Sequence, residues 1–154
     1  MIQRIQSLLL LFALFIAVAL YFMPLSQKTH FDPANGDVPV TLKVTGFETA
    51  PGQLTIAWPL LICNTAVGIL SLIAIFMYRN RPGQIKITML AFFISCLVLA
   101  GTFWYSDYYN NAGDEKSRYL VGVYLLFVQL FVLIRAIKAI KKDEELVRSA
   151  DRIR

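Results

Sequence analysis

The chain has 154 residues, 57% of them hydrophobic, and a mean hydropathy of +0.59. This composition excludes an ordinary water-soluble domain, and the apolar stretches leave no room for a second, soluble one. The formal net charge of +5 would suit a nucleic-acid-binding protein. The basic residues, however, sit beside apolar stretches on one side, so we expect no nucleic-acid partner.

Four apolar stretches contain no charged residue, at about 5–23, 58–78, 87–105 and 119–134. About twenty residues at roughly 1.5 Å each cover the roughly 30 Å hydrocarbon core of a bilayer. The second stretch has Trp58 and Tyr78 at its edges and Arg79 just beyond. This arrangement is typical of a membrane span. We therefore predict an all-α membrane protein, an antiparallel four-helix transmembrane bundle.

The first stretch contains Ala17-Val18-Ala19, which fits a signal-peptide cleavage pattern. The apolar run continues to Met23, so we expect a retained anchor. Eleven of the 15 Lys and Arg residues fall on one predicted side, which makes both termini cytoplasmic. These residues are Arg4, Arg79, Arg81, Lys86, Arg135, Lys138, Lys141, Lys142, Arg148, Arg152 and Arg154.

Residues 24–57 form the one long polar stretch, on the outer side. Val38, Val40, Leu42 and Val44 alternate with polar residues, which is the period of a half-buried strand. After the turn signal at Pro51-Gly52, residues 53–58 alternate again. We predict a β-hairpin in this loop. Two strands alone are marginal in water, so the hairpin either packs on its own helices as a lid or docks another protein.

Residues 79–86 are predicted to form a short inner turn, with Pro82-Gly83 breaking the helix. Such a short turn makes the second and third spans antiparallel neighbours. Asn64 and Gln129 are amides within spans. Burying an unpaired amide in hydrocarbon costs several kcal/mol. We therefore expect Gln129 to face another helix, with Asn64 the nearest candidate in depth, and Asn64 to join helices together.

Residues 135–154 are predicted to be a cytoplasmic helical tail. Its first part carries a basic stripe, and its last part carries a narrow apolar seam. The stripe consists of Arg135, Lys138, Lys141 and Lys142, and the seam of Leu146, Ala150 and Ile153. Basic residues next to a span attract anionic lipid headgroups. The tail therefore lies on the lipid headgroups, packs on a partner protein or stays solvated.

Both ends of the chain carry a family signature, Met1-Ile2-Gln3-Arg4-Ile5-Gln6-Ser7 and Lys142-Asp143-Glu144-Glu145-Leu146-Val147-Arg148-Ser149-Ala150-Asp151-Arg152-Ile153-Arg154. With four spans between them, these segments resemble the domain of unknown function 4293 family. Its members are small four-span membrane proteins of Bacteroidetes. The resemblance implies an inner-membrane location with the hairpin in the periplasm, and it supplies no catalytic residues.

The sequence favours a non-catalytic accessory subunit or assembly factor of a membrane protein complex. The alternative is a small transporter or channel, although the four spans contain no ionisable residue of the kind that conducting proteins use. We expect no enzyme, because no nucleophile, base and orienting group occur together. The single histidine, His30, lies in the outer loop, and we expect no cofactor and no metal.

Overall fold

A computed structural model describes residues 2–32, 36–50, 53–78, 80–108 and 118–151. Within these residues the chain is mostly helical, with four helices and a small antiparallel sheet. The helices are α1 (Ile2–Ala19), α2 (Trp58–Phe76), α3 (Arg81–Tyr108) and α4 (Val121–Asp151). The strands are β1 (Ser26–Asp32), β2 (Gly36–Lys43), β3 (Gly46–Ala50), β4 (Gln53–Ile56) and β5 (Arg118–Tyr119).

Three helices of the described chain are long and apolar enough to cross a membrane, over Trp58–Phe76, Arg81–Asp107 and Val121–Val147. The apolar part of α1, Ile5–Ala19, is shorter. Its helical turns continue past Ala19, because the Leu20 amide donates to the Ile16 carbonyl at 2.9 Å and the Met23 amide donates to the Ala19 carbonyl at 3.2 Å.

The turn between α2 and α3 is shorter than predicted, and Pro82-Gly83 does not break the helix. Helix α3 begins at Arg81 and includes both residues in its first turn. Proline is tolerated there because the first helical amides have no carbonyl partner within the helix. The Asn80 side chain accepts a hydrogen bond from the Gly83 amide at 3.2 Å and so caps this end.

Each helix packs against two others, α1 and α3 both lying against α2 and α4. The core between them is built from leucine, valine, isoleucine and alanine, with Leu10, Leu60, Leu126 and Leu133 among its fully buried side chains. Gly101 lies against the side chain of Leu60, where an added Cβ would come within 2.9 Å of Leu60 Cδ2. This close approach draws α2 and α3 together.

The structure corrects the predicted two-stranded hairpin. In the described residues the sheet has five antiparallel strands in the order β4-β3-β2-β1-β5. Strand β1, which shows no apolar alternation, pairs with β2 along its whole length, from Ser26 opposite Leu42 to Asp32 opposite Gly36. Strand β5 comes from the loop after α3 and adds a two-residue edge. The segment between α1 and α2 and the segment between α3 and α4 therefore both contribute to one sheet.

The predicted alternation is confirmed from Val40 onward, although strand β2 ends earlier than predicted, and the side chain of Val38 lies outside the described part. Val40, Leu42 and Val44 are buried, whereas Thr41 and Lys43 between them are half-buried. The chain turns after Lys43 and starts β3 at Gly46, whose φ is +147°. A Cβ at Gly46 would collide with the Thr55 carbonyl of β4. Glycine is therefore required both by the backbone angle and by the close approach of β4.

The sheet rests on one end of the helices. The Phe47 ring lies 5.8 Å from that of Tyr105 in α3, and the Phe103 ring lies 5.2 Å from that of Tyr119 in β5. At the start of α4, the Gly122 amide donates to the Pro24 carbonyl at 3.0 Å. These contacts support the lid alternative, because the apolar face of the sheet is covered by the chain's own helices.

Candidate functional site

Among the residues whose side chains are described, three buried glutamines lie between the helices, and two of them join helices by hydrogen bonds. Gln6 of α1 donates from Nε2 to the Ala139 carbonyl of α4 at 3.0 Å. Gln84 of α3 donates from Nε2 to the Ala74 carbonyl of α2 at 3.0 Å. Neither residue is among the predicted site residues. Their polarity at the edge of an apolar stretch was the available signal, since Gln6 lies at the start of the first stretch and Gln84 lies just before the third.

Gln129 is completely buried in α4, but neither its amide nitrogen nor its amide oxygen has a hydrogen-bond partner among the described residues. It lies in the middle of the buried face of α4, flanked one turn away by Leu126 and Leu133. The hydrogen bond to Asn64 that the sequence suggested is not formed. A buried unpaired amide is unfavourable, so Gln129 is the most unusual polar group between the helices.

Asn64 instead connects α2 to α1. Its Nδ2 donates to the Ala17 carbonyl at 2.9 Å, and its Oδ1 has no partner in the described chain. One residue further along, the Thr65 hydroxyl donates to the Leu61 carbonyl at 2.6 Å. Because that bond uses its single hydrogen, the Tyr21 hydroxyl is the donor in the 2.6 Å contact with Thr65. The predicted role of Asn64 in joining helices therefore agrees with its contacts.

The far end of α4 is part of the fold rather than a free tail. Ala136, Ile140 and Asp143 are buried. The Asp143 carboxylate lies 3.2 Å from the Arg81 guanidinium, and the same guanidinium donates to the Asp143 carbonyl at 3.1 Å. The first turn of α3 is therefore fastened to α4. The sequence did not reveal this pair, because its members are separated by 62 residues.

The predicted basic stripe lies on the surface, where Arg135, Lys138, Lys141 and Lys142 are all exposed. Leu146 of the predicted apolar seam is also exposed, together with its neighbour Val147. Of the other seam residues, Ala150 lies within α4, but its side chain is outside the described part. Ile153 lies outside the described residues altogether. The four stripe residues and Leu146 are therefore accessible to lipid or to another protein.

A groove of about 370 Å³ lies beside the Arg81–Asp143 pair, between the first turns of α3 and the last turns of α4. Its lining consists of Pro82, Ile85, Lys86, Lys141, Glu144 and Glu145. Ile85 is buried, and the two lysines and Glu145 are exposed. Only Lys141 among them belongs to the predicted contact residues, and the lining residues of α3 meet those of α4 only because the two helices pack together.

Cys63 and Cys96 are free thiols and half-buried within α2 and α3. Across the described ranges, no three His, Cys, Asp or Glu side chains gather closely enough to hold a metal ion. Among the described residues, the buried polar groups of the helices are amides, hydroxyls and the Asp143 carboxylate. Their observed hydrogen bonds go mainly to backbone carbonyls, as expected of groups that hold helices together.

The family model described as Domain of unknown function (DUF4293) matches residues 2–153. The match takes in almost the whole chain, including most of both terminal signatures, and it confirms the resemblance found in the sequence. Comparison with curated proteins gave no match.

Proposed function

The chain belongs to the DUF4293 family, and from this premise we propose a role as a non-catalytic accessory subunit or assembly factor of a membrane protein complex. In this proposal all four helices cross the inner membrane of a Bacteroidetes bacterium as an antiparallel bundle. Both termini are cytoplasmic, and the sheet lies in the periplasm. The basic ends of the helices support this orientation, because cytoplasmic segments are enriched in lysine and arginine.

The observation that carries the membrane location is the apolar outer surface of the helices. Phe15 of α1, Phe93 of α3 and Phe131 of α4 are each more than 60% exposed. Soluble monomers rarely expose apolar patches larger than a few hundred Å². In a membrane, lipid tails cover such side chains, so that they are not exposed to water. The one-turn continuation of α1 to Met23 lengthens its apolar part to about 19 residues, or about 28 Å.

Two surfaces support the role as a subunit. The outward side of the sheet carries Thr41 and the ion pair of Lys43 with Glu48, at 2.6 Å. At the other end of the molecule, Leu146 and Val147 are exposed on α4, beyond the Arg81–Asp143 contact. Between the helices, Gln6, Asn64 and Gln84 hydrogen-bond to the backbone of a neighbouring helix and so serve the fold. The surfaces free for contact are therefore at the two ends.

Site-specific photocrosslinking in native membranes tests this proposal. A photoreactive residue is introduced singly at Leu146, at Thr41 or at the lipid-facing control Phe93. We expect a discrete protein adduct from Leu146, Thr41 or both, and none from Phe93. If all three positions yield only lipid adducts, and mild-detergent purification recovers the chain alone, the subunit role is wrong.

A small transporter or channel is the second candidate, and one observation favours it. Buried atoms without a hydrogen-bond partner in the described chain occur on three helices, at Ser71 of α2, Ser95 of α3 and Gln129 of α4. Unpaired buried groups of this kind would suit a small polar solute. Proteoliposomes containing the purified protein would then show solute flux that Gln129→Met reduces, and absence of flux with a panel of small solutes would contradict this candidate.

A further inference from the structure

We propose that the groove between α3 and α4 binds one phospholipid headgroup that carries both a phosphate and a primary ammonium, the chemistry of phosphatidylethanolamine. This inference rests on the proposed membrane location. It goes further by assigning the occupant of one site. The position of the groove relative to the hydrocarbon core, its lining and its charges all favour this occupant.

The groove lies at the depth of lipid headgroups. Lys86 is 18 residues from Trp104 along α3, which is about 27 Å at 1.5 Å per residue. Lys141 is 20 residues from the start of α4, which is about 30 Å. Both distances match the roughly 30 Å hydrocarbon core. With the sheet end of the helices at the opposite interface, the two lysines reach the headgroup layer together.

The size and floor of the groove fit a headgroup with the beginning of its acyl chains. Its volume is about 370 Å³, within the range of small-molecule clefts. Pro82 and Ile85 supply apolar surface, and the membrane-facing side continues into the apolar part of α3. A lipid can therefore place its glycerol end on apolar residues and its polar end among the charged ones.

The charges select a zwitterion. Lys86 and Lys141 supply two cations, and Glu144 and Glu145 supply two anions, so the lining carries no net charge. None of the four forms an ion pair with another side chain in the described part of the chain. The lysines suit a phosphate and the glutamates suit an ammonium. A net-anionic headgroup would meet the two carboxylates without a compensating cation of its own.

The same chemistry separates phosphatidylethanolamine from phosphatidylcholine. Both contain a phosphate and a positive nitrogen, but the choline nitrogen has no hydrogen to donate to a carboxylate. A hydrogen bond between charged groups is among the stronger ones in proteins and corresponds to about a tenfold difference in affinity. The carboxylates of Glu144 and Glu145 should therefore give a preference for the primary ammonium.

Native mass spectrometry of the full chain in detergent, with phosphatidylethanolamine, phosphatidylcholine and phosphatidylglycerol added at equal concentration, tests the site. We expect one retained lipid per chain, with phosphatidylethanolamine preferred about tenfold over phosphatidylcholine. The double variant E144Q/E145Q should lose this preference while still retaining lipid. K86Q/K141Q should weaken retention of both lipids, and K43Q/E48Q, which removes a charge pair on the sheet at the other end of the molecule, should behave like the wild type.

Equal retention of the three lipids by the wild type would overturn the proposal, and so would stronger retention of phosphatidylglycerol or an unchanged preference in E144Q/E145Q. Monodisperse elution in detergent identifies variants that have lost their fold, and the wild-type preference remains decisive if one does. Alkaline carbonate extraction separately reports insertion. A chain that stays in the membrane pellet but shows no lipid preference refutes the groove alone, whereas release into the supernatant refutes the membrane location.

Discussion

The three buried glutamines offer a test in which one substitution should have opposite effects. Methionine has nearly the length and volume of glutamine but no hydrogen-bonding group. Gln129 is fully buried with both amide atoms unpaired in the described structure, whereas Gln6 and Gln84 each donate to the backbone of another helix at 3.0 Å. Replacing each by methionine compares an unpaired amide with two paired ones.

The magnitudes follow from burial and pairing. A buried amide without a partner costs about 1–3 kcal/mol, and a volume-conserving exchange costs under about 1.5 kcal/mol. Gln129→Met should therefore raise the free energy of unfolding by about 1–2 kcal/mol. Hydrogen bonds between membrane helices contribute about 0.6 kcal/mol on average and up to about 1.7 kcal/mol. Gln6→Met and Gln84→Met should lower the free energy of unfolding by amounts in this range.

Equilibrium unfolding by sodium dodecyl sulfate in mixed micelles measures all three variants against the wild type. Circular dichroism before unfolding checks that each variant has the same helical content. Destabilisation by Gln129→Met as large as that by the other two would refute the reasoning. It would mean that the Gln129 amide has a polar partner in the native protein, either an internal water molecule or a bound solute.

Two further contacts give predictions measured by the same unfolding assay. Gly122→Ala would bring a Cβ within 2.7 Å of the Pro24 carbonyl oxygen and should lower stability by about 1–3 kcal/mol. Gly68→Ala, whose Cβ meets nothing closer than 3.7 Å, should be neutral or stabilising by up to about 1 kcal/mol, and equal effects would contradict the argument. Arg81→Met leaves the Asp143 carboxylate buried without a cation, and should cost about 2–4 kcal/mol. Adding Asp143→Asn should recover more than half of that loss, and no recovery would mean that Arg81 acts through packing.

The sequence was sufficient to predict burial where the pattern of residues within one element indicates which face is covered. The alternation of Val40, Leu42 and Val44 predicted which side of β2 is buried, because neighbouring side chains of a strand point to opposite faces. Strand β1 reads Ser-Gln-Lys-Thr-His-Phe-Asp and has no such alternation. It is a strand because β2 offers it a backbone partner along its whole length, and this pairing cannot be read from β1 itself.

At the candidate site, too, burial could be predicted from one element, whereas the partners could not. Burial of Asn64 and Gln129 followed from their positions inside apolar stretches. Their partners did not, because Asn64 bonds to a backbone carbonyl, and every residue has one. The groove is harder still to predict from the sequence. Lys86 and Glu144 are 58 positions apart in the sequence, and only the packing of α3 against α4 makes both part of one surface.

Helix α4 links the two ends of the molecule. Its 31 residues extend about 46 Å, roughly 16 Å more than the hydrocarbon core. Contacts hold it at both ends, with Gly122 against Pro24 near the sheet and Asp143 against Arg81 near the groove. Leu146 follows the second contact by less than one turn. It is therefore presented on a helix that is already ordered, so that binding there requires little further ordering.

This arrangement makes Arg81→Met a test of the tail as well as of stability. Without the contact to Asp143, the last turns of α4 are no longer fastened to α3, and the position of Leu146 becomes less defined. We expect photocrosslinking from Leu146 to a protein partner to fall in Arg81→Met, while crosslinking from Thr41 at the sheet is unchanged. An equal fall at both positions would mean that the substitution damages the whole fold. Unchanged crosslinking at Leu146 would mean that the last turns of α4 keep their place without Arg81.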